Sequence, residues 1–154
     1  MISEKPQKIL GTIQRAVESV YEKAEKRDIA IYVDIKEDQV LWHNRRWTAE
    51  VFENLLENAV KYANPGTKIM ILQETYETYT EIHVKDERKG IPKEEWNRIF
   101  QRFYRGKGTE DIEGSGIGLY LSRLILEMEQ GALTVESEVG NGSCFTVFLQ
   151  NCKN

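Results

Sequence analysis

The sequence predicts a two-layer α/β sandwich, a mixed and largely antiparallel sheet covered on one face by three helices. Two observations predict it. Helical and strand periodicities take turns along one 154-residue chain, and most of the predicted strands are neighbours in sequence, which favours antiparallel pairing with the helices gathered on one side. A single domain, residues 1–154, is long enough to bury roughly two-thirds of the surface its unfolded form exposes. No cofactor or disulfide is needed to explain folding.

Ile9, Leu10, Ile13, Ala16, Val17, Val20, Tyr21 and Ala24 recur at helical spacing and predict an amphipathic first helix. The alternating, β-branched run 29–35 and the short segment 40–42 read as two strands of a hairpin across 36–39. A second helix covers about residues 46–63 and stops before Asn64-Pro65-Gly66, which break helices. Residues 68–75 and 79–85 read as two strands joined by a short turn. Between Asp86 and Gly118 glycines cluster and periodicity lapses apart from a short helix start at 92–96, so a functional loop or lid, about residues 93–116, is expected. Ile117, Leu121, Leu124, Ile125 and Met128 mark a third helix ended by Gly131. Residues 133–138 and 143–149 close the chain as a hairpin around Gly140-Asn141-Gly142.

Charged residues make up 30% of the chain and the net charge is −4, so nothing points to nucleic acid or a membrane surface as a general partner. If the chain binds an anion, it must do so locally. Cys144 and Cys152 lack CxxC or metal-ligand spacing and are expected to be free, buried thiols in a reducing cytoplasm. No apolar run approaches the length of a membrane span, and Met1-Ile2-Ser3-Glu4-Lys5-Pro6 has neither the basic start nor the apolar core of a signal peptide.

On the second helix Phe52, Leu55, Leu56, Ala59, Val60 and Ala63 form one stripe, while Asn54, Asn58 and Lys61 form another on the opposite side. Asparagine is a poor helix former because its amide competes for backbone groups, so two of them one turn apart carry a cost that Glu or Lys avoids. One account is a loop packed over this face whose backbone the amides satisfy. The chemical account is a phosphate and metal rail: a neutral amide oxygen is a hard ligand suited to Mg²⁺, and Lys61 adds a cation one turn on.

Asp86 ends a strand and Gly90-Ile91-Pro92 turns the chain behind it. It is either a turn or cap residue or a fixed acceptor for an exocyclic amine, which would recognise adenine and reject a base carrying a carbonyl there. Gly114-Ser115-Gly116-Ile117-Gly118-Leu119 opens the third helix with unpaired N–H groups and the positive dipole end, an anion site or a packing device. No GxxxxGK[ST] or strand-first GxGxxG unit suggests another nucleotide fold. Between these loops, residues 98–107 interleave aromatics with cations. They form an exposed basic loop tacked to the core by Phe100 and Phe103, or a lid whose arginine reaches a terminal phosphate.

Taken in order, Asn54-Leu-Leu-Glu-Asn58-Ala-Val-Lys61-Tyr62, Asp86-x-x-x-Gly90-Ile91-Pro92, Phe100-x-x-Phe103-Tyr104-Arg105 and Gly114-x-Gly116-x-Gly118-Leu119 resemble the N, G1, F and G2 boxes of sensor histidine kinases. The resemblance runs nearly to the chain's end, through Gly142-Ser143-Cys144-Phe145-Thr146, and implies the Bergerat ATP-binding sandwich shared with gyrase-type, Hsp90-type and MutL-type ATPases. It implies ATP and Mg²⁺ as cofactors, with Asn58 as metal ligand, Asn54 and Lys61 at the phosphates and Asp86 at the adenine amine. Arg105 becomes the lid's phosphate contact. Tyr62, Gly90, Ile91, Gly114, Ser115, Gly116, Gly118, Leu119 and Thr146 complete the nucleotide contacts it implies.

Related ATPases carry a glutamate one turn before the metal asparagine, but here that position is Asn54. Glu53 points about 100° away around the helix and Glu57 about 60°. This favours transfer to an imidazole, already a nucleophile, over hydrolysis. The usual G1 box is DxGxGI, and its first glycine is replaced by Arg88; a Cβ penalises positive φ, so the loop either adopts a conformation open to ordinary residues or is strained. Adenine binding is expected to survive on Asp86 and Gly90.

The acceptor histidine of these kinases precedes an acidic residue, whereas His43 precedes Asn44 and His83 precedes Val84. Both read as ordinary. The chain therefore resembles the donor half of a larger, membrane-anchored protein, a monomeric cytoplasmic domain that phosphorylates a histidine on its parent's helical dimerisation domain and, through it, serves a response regulator in a two-component system. The alternatives are an ATPase clamp of the same fold and a docking module that no longer takes nucleotide because of Arg88.

Overall fold

The structure is a computed structural model that describes residues 4–96, 98–101 and 118–152. Seven strands and three α-helices occur among them: β1 (Lys5–Lys8), α1 (Leu10–Lys26), β2 (Ala30–Asp34), β3 (Val40–His43), α2 (Arg45–Tyr62), β4 (Lys68–Thr75), β5 (Tyr79–Asp86), α3 (Gly118–Met128), β6 (Ala132–Glu138) and β7 (Gly142–Gln150). A short 3₁₀ turn spans Lys93–Glu95, where the sequence predicted a helix start. Five strands form a mixed sheet in the order β2-β4-β5-β7-β6, parallel only between β2 and β4.

The expected hairpin between the second and third strands does not form. β2 instead pairs parallel with β4, Ile31 opposite Ile69, because the intervening α2 supplies the crossover that parallel strands need. β3 leaves the main sheet and pairs antiparallel with β1, a strand the sequence reading missed, in a separate two-stranded sheet. A bridge between Leu41 and Asn151 ties that small sheet to the end of β7.

Sheet alternation sets the core. Ile69, Ile71, Ile82, Val84, Leu133, Val135, Phe145 and Val147 face the helices, and α2 meets them with Phe52, Leu55, Leu56, Ala59 and Val60, all buried. α1 adds Ile13, Ala16 and Val20 from the predicted stripe. Helix ends are fixed by specific acceptors. The Leu10 amide that opens α1 donates to Asp38 Oδ1 (2.8 Å), and Asn44 caps α2 by accepting from Trp47 N–H (3.0 Å). The Arg27 guanidinium donates to the Val60 and Lys61 carbonyls near the far end of α2, groups a helix terminus otherwise leaves unpaired.

Just past α3, the Glu129 carboxylate is fully buried and accepts from Asn44 N–H (2.7 Å) and the Thr48 hydroxyl (2.6 and 2.8 Å), clamping the start of α2 to the end of α3. Burial pushes its carboxyl above the usual range, against the opposing effect of those two donors. His43 is also fully buried, with Nδ1 against the Leu41 carbonyl and Nε2 against the Thr12 hydroxyl, each at 2.9 Å. Desolvation lowers its pKa. Cys144 and Cys152 are half-buried rather than buried as expected.

Candidate functional site

The polar stripe of α2 faces the start of α3. Asn54 Nδ2 donates to the Gly118 carbonyl and to Ser122 Oγ, each at 3.3 Å. The first described residue of the glycine-led helix thus lies against the first amide of the stripe. Gly114, Ser115 and Gly116, with Arg105, Phe103 and most of the predicted lid, fall outside the described residues. Leu119 packs against the core from the adjoining turn. At the near end of the predicted lid, Phe100 is buried edge-on to Phe145, centroids 6.3 Å apart, and Arg123 lies 4.6 Å over its ring.

One turn on, Asn58 Oδ1 is turned toward β5 and accepts from Arg88 Nη2 at 2.6 Å. Lys61 is exposed at the rim, while Tyr62 is half-buried below it. Glu57 points elsewhere, to Lys23 on α1 (3.1 Å).

Asp86, the last residue of β5, faces the helices with its side chain fully buried. Both its oxygens are taken by Arg88, Oδ1 from Nε at 2.8 Å and Oδ2 from Nη2 at 2.6 Å. The guanidinium lies between two rings, 5.1 Å from the Tyr62 centroid and 5.5 Å from that of Phe145, and Arg88 is only 7% exposed. The Arg88 backbone is not in the left-handed region, where the described non-glycine residues are Asp28 and Gln130. It pairs in an antiparallel bridge with Ala63 at the end of α2. The loop has adopted a conformation open to ordinary residues.

Gly90 explains its own place. It holds φ +102, and a Cβ there would lie 2.3 Å from the Glu138 carbonyl oxygen, so the chain behind Asp86 can lie this close to β6 only as glycine. The next amide, Ile91 N–H, donates to Ser137 Oγ (2.7 Å), and the Ile91 carbonyl accepts from Trp96 Nε1 (3.0 Å).

Thr146 does not join this group. Along β7, Phe145 and Val147 point to the helices, so Thr146 points away, pairing its hydroxyl with His83 Nδ1 at 2.8 Å beside Cys144. That helix-free face carries a broad concavity of about 950 Å³ and the clustered side chains of Glu74, Glu81 and His83. The residue of the same strand on the Asp86 side is Ser143, directly opposite Asp86 in the register and hydrogen-bonded to Ser137 Oγ at 2.8 Å. Strand parity counted from Phe145 was the signal for it.

Asn54, Asn58, Asp86 and Gly118 therefore converge from α2, β5 and α3 on one side of the sheet, with Tyr62 and Phe145 as aromatic walls. Such an arrangement offers amide acceptors, a buried carboxylate and the start of a helix on one side of the sheet. Solved structures share the architecture. The mycobacterial sensor histidine kinase MprB superposes with a TM-score of 0.85 at 23% identity, covering 99% of this chain and 100% of that one. The catalytic domain of histidine kinase ThkA gives 0.84 at 25% identity, covering 97% and 99%.

Among curated sequences, sensor histidine kinase YvrG of Bacillus subtilis is 33% identical over 105 residues, 68% of this chain and 18% of that protein. Sensor protein SrrB of Staphylococcus aureus is 34% identical over 102 residues, 65% of this chain and again 18% of the relative. The chain thus spans about a fifth of the length of these relatives. A family profile matches residues 43–152, from the end of β3 to just past β7, and so takes in every site residue described above. This chain belongs to the histidine kinase-, DNA gyrase B- and HSP90-like ATPase family.

Proposed function

We propose that the chain binds Mg²⁺·ATP between the Asn54/Asn58/Lys61 face of α2 and the start of α3, and donates the γ-phosphoryl group to a histidine on a helical phosphoacceptor domain of its parent chain. It is then the catalytic domain of a two-component sensor kinase, its phosphohistidine serving a response regulator. The observation that carries this reading is the contact of Asn54 with Gly118, which brings the amide stripe against the glycine-led helix start. Asp86 would take the adenine amine in the slot walled by Tyr62 and Phe145, with Ser143 beside it.

Asn58 Oδ1 fits a hard cation as a neutral amide acceptor, and in this structure that acceptor is taken by Arg88 Nη2. When bound there, Mg²⁺ neutralises phosphate charge. The remaining work falls to the chain itself, in orienting the triphosphate against the helix N-terminus and offering Lys61 as a counter-charge. Positioning and electrostatics are the main contributions a phosphoryl-transfer site makes. Asn54 stands where a water-activating carboxylate would be needed, and Glu57 is paired with Lys23, which supports transfer to an imidazole over hydrolysis.

Parent chains of the YvrG and SrrB kind are sensors, and we place this domain on the cytoplasmic side of a membrane-anchored one. Among the described residues no helix is long and apolar enough to cross a membrane. Mixing the chain with a histidine-bearing dimerisation fragment and γ-labelled ATP tests the reading. Acid-labile label on the fragment is the expected result. Label released only as free phosphate supports the ATPase clamp instead, and absence of any nucleotide binding by the folded chain supports the docking module, which the Arg88–Asp86 pairing favours.

A further inference from the structure

The slot that the nucleotide reading assigns to a base is filled by a side chain of this protein. Arg88 presents a flat, delocalised group between the Tyr62 and Phe145 rings and satisfies both oxygens of Asp86 through Nε and Nη2. Those are the contacts a purine with an exocyclic amine makes in such a slot: stacking on aromatic faces and donation to a fixed carboxylate. The same Nη2 also holds Asn58 Oδ1, the acceptor a divalent cation needs.

We infer that Arg88 is an internal competitor of the nucleotide, a specificity-determining residue that must withdraw from Asp86 and Asn58 before base and metal can be held. The inference rests on the nucleotide reading above. Geometry allows the withdrawal, because the backbone is held separately by its bridge to Ala63 while the guanidinium sits at the end of a long flexible stem. The entering base replaces a cationic group that donates twice to Asp86 with a neutral amine that donates to the same carboxylate, so net affinity is the difference between the two sets of contacts. A chain with glycine at position 88 has nothing to displace.

The test is calorimetric titration of the chain and of Arg88→Gly and Arg88→Ala with a non-hydrolysable ATP analogue and Mg²⁺, with folding of each variant confirmed by its thermal melt. Expected is binding tighter by about tenfold or more in both variants than in the unmutated chain. Equal affinities leave the nucleotide reading standing and overturn the competitor. No binding by any of the three folded chains removes the nucleotide reading, and the inference falls with it.

A second measurement needs no substitution. The Arg88 Nε–Hε resonance of the unmutated chain, protected in its bond to Asp86, should lose that protection as the analogue with Mg²⁺ is added. Retention of the protected signal at saturation overturns the inference, as does preference for a guanine over an adenine nucleotide. That preference would mean the guanidinium stays and reads a carbonyl in place.

Discussion

Of the carboxylates buried among the described residues, Glu129 and Asp86 are partnered in opposite ways. Glu129 accepts from a backbone amide and a hydroxyl on α2, groups whose positions are set by helix packing. Asp86 accepts from a guanidinium two residues along its own strand end, held by rotatable bonds. Both satisfy the requirement that buried polar groups be paired. Only the second can be unpaired by a side-chain rotation, without moving an element of the fold. Fixed neutral donors make a rivet, and a flexible charged donor makes a latch.

Glu129→Ala offers the largest test of that contrast. One buried and one part-buried donor lose their acceptor at about 1–3 kcal/mol each, so unfolding by denaturant should show a loss of about 3 kcal/mol with nucleotide affinity barely changed. Asp86→Ala should cost less, about 1–2 kcal/mol, because Arg88 can turn to solvent, yet it should abolish measurable nucleotide binding. A stability loss for Asp86→Ala larger than that for Glu129→Ala would break the distinction.

The buried histidine sharpens it through pH. His43 has a lowered pKa because burial penalises its charged form, so the folded state binds fewer protons than the unfolded one. Its stability contribution is complete above the ordinary histidine pKa of about 6.5 and is lost as pH falls below that value toward the folded pKa, with a slope of at most about 1.4 kcal/mol per pH unit. Denaturant midpoints across that window should show the decline, and His43→Gln should flatten it. Glu129 has the opposite sign: its raised carboxyl stabilises the folded state below about pH 4.5 and loses that advantage as pH climbs through the folded value. The smallest effect belongs to Lys61, exposed at the rim. Lys61→Ala should leave stability within about 0.5 kcal/mol, and calorimetry should show weaker binding of the ATP analogue.

Periodicity made α1 and α2 legible, because a stripe of buried residues repeats often enough over four or more turns to fix face and type. The partner of a strand was not legible. Alternation in residues 29–35 says that one side is buried and is silent on which neighbour pairs, so the local hairpin looked natural until α2 carried the chain over to β4. β1 escaped notice because Lys5-Pro6-Gln7-Lys8 is mostly exposed and owes its strand form to backbone bonds with β3.

Within the site, Asn54, Asn58 and Asp86 could be read from residue type and spacing. The pairing of Arg88 with two of them could not, since it depends on a loop path closing 30 residues of chain between Asn58 and Arg88. Thr146 lies on the helix-free side of β7, and strand parity counted from Phe145 is the pattern that separates it from Ser143.

The β6–β7 turn has a reach that its position at the edge of the sheet conceals. Gly140 N–H donates to the Lys89 carbonyl at 2.6 Å, one residue from Arg88 and one from Gly90, while the tip itself, from Val139 to Asn141, is open to solvent. An antibody fragment or a second domain that grips this tip would pull on the backbone beside the guanidinium without entering the cleft. Remote control of the domain would then need no rearrangement of the sheet, only tension on one short crossing.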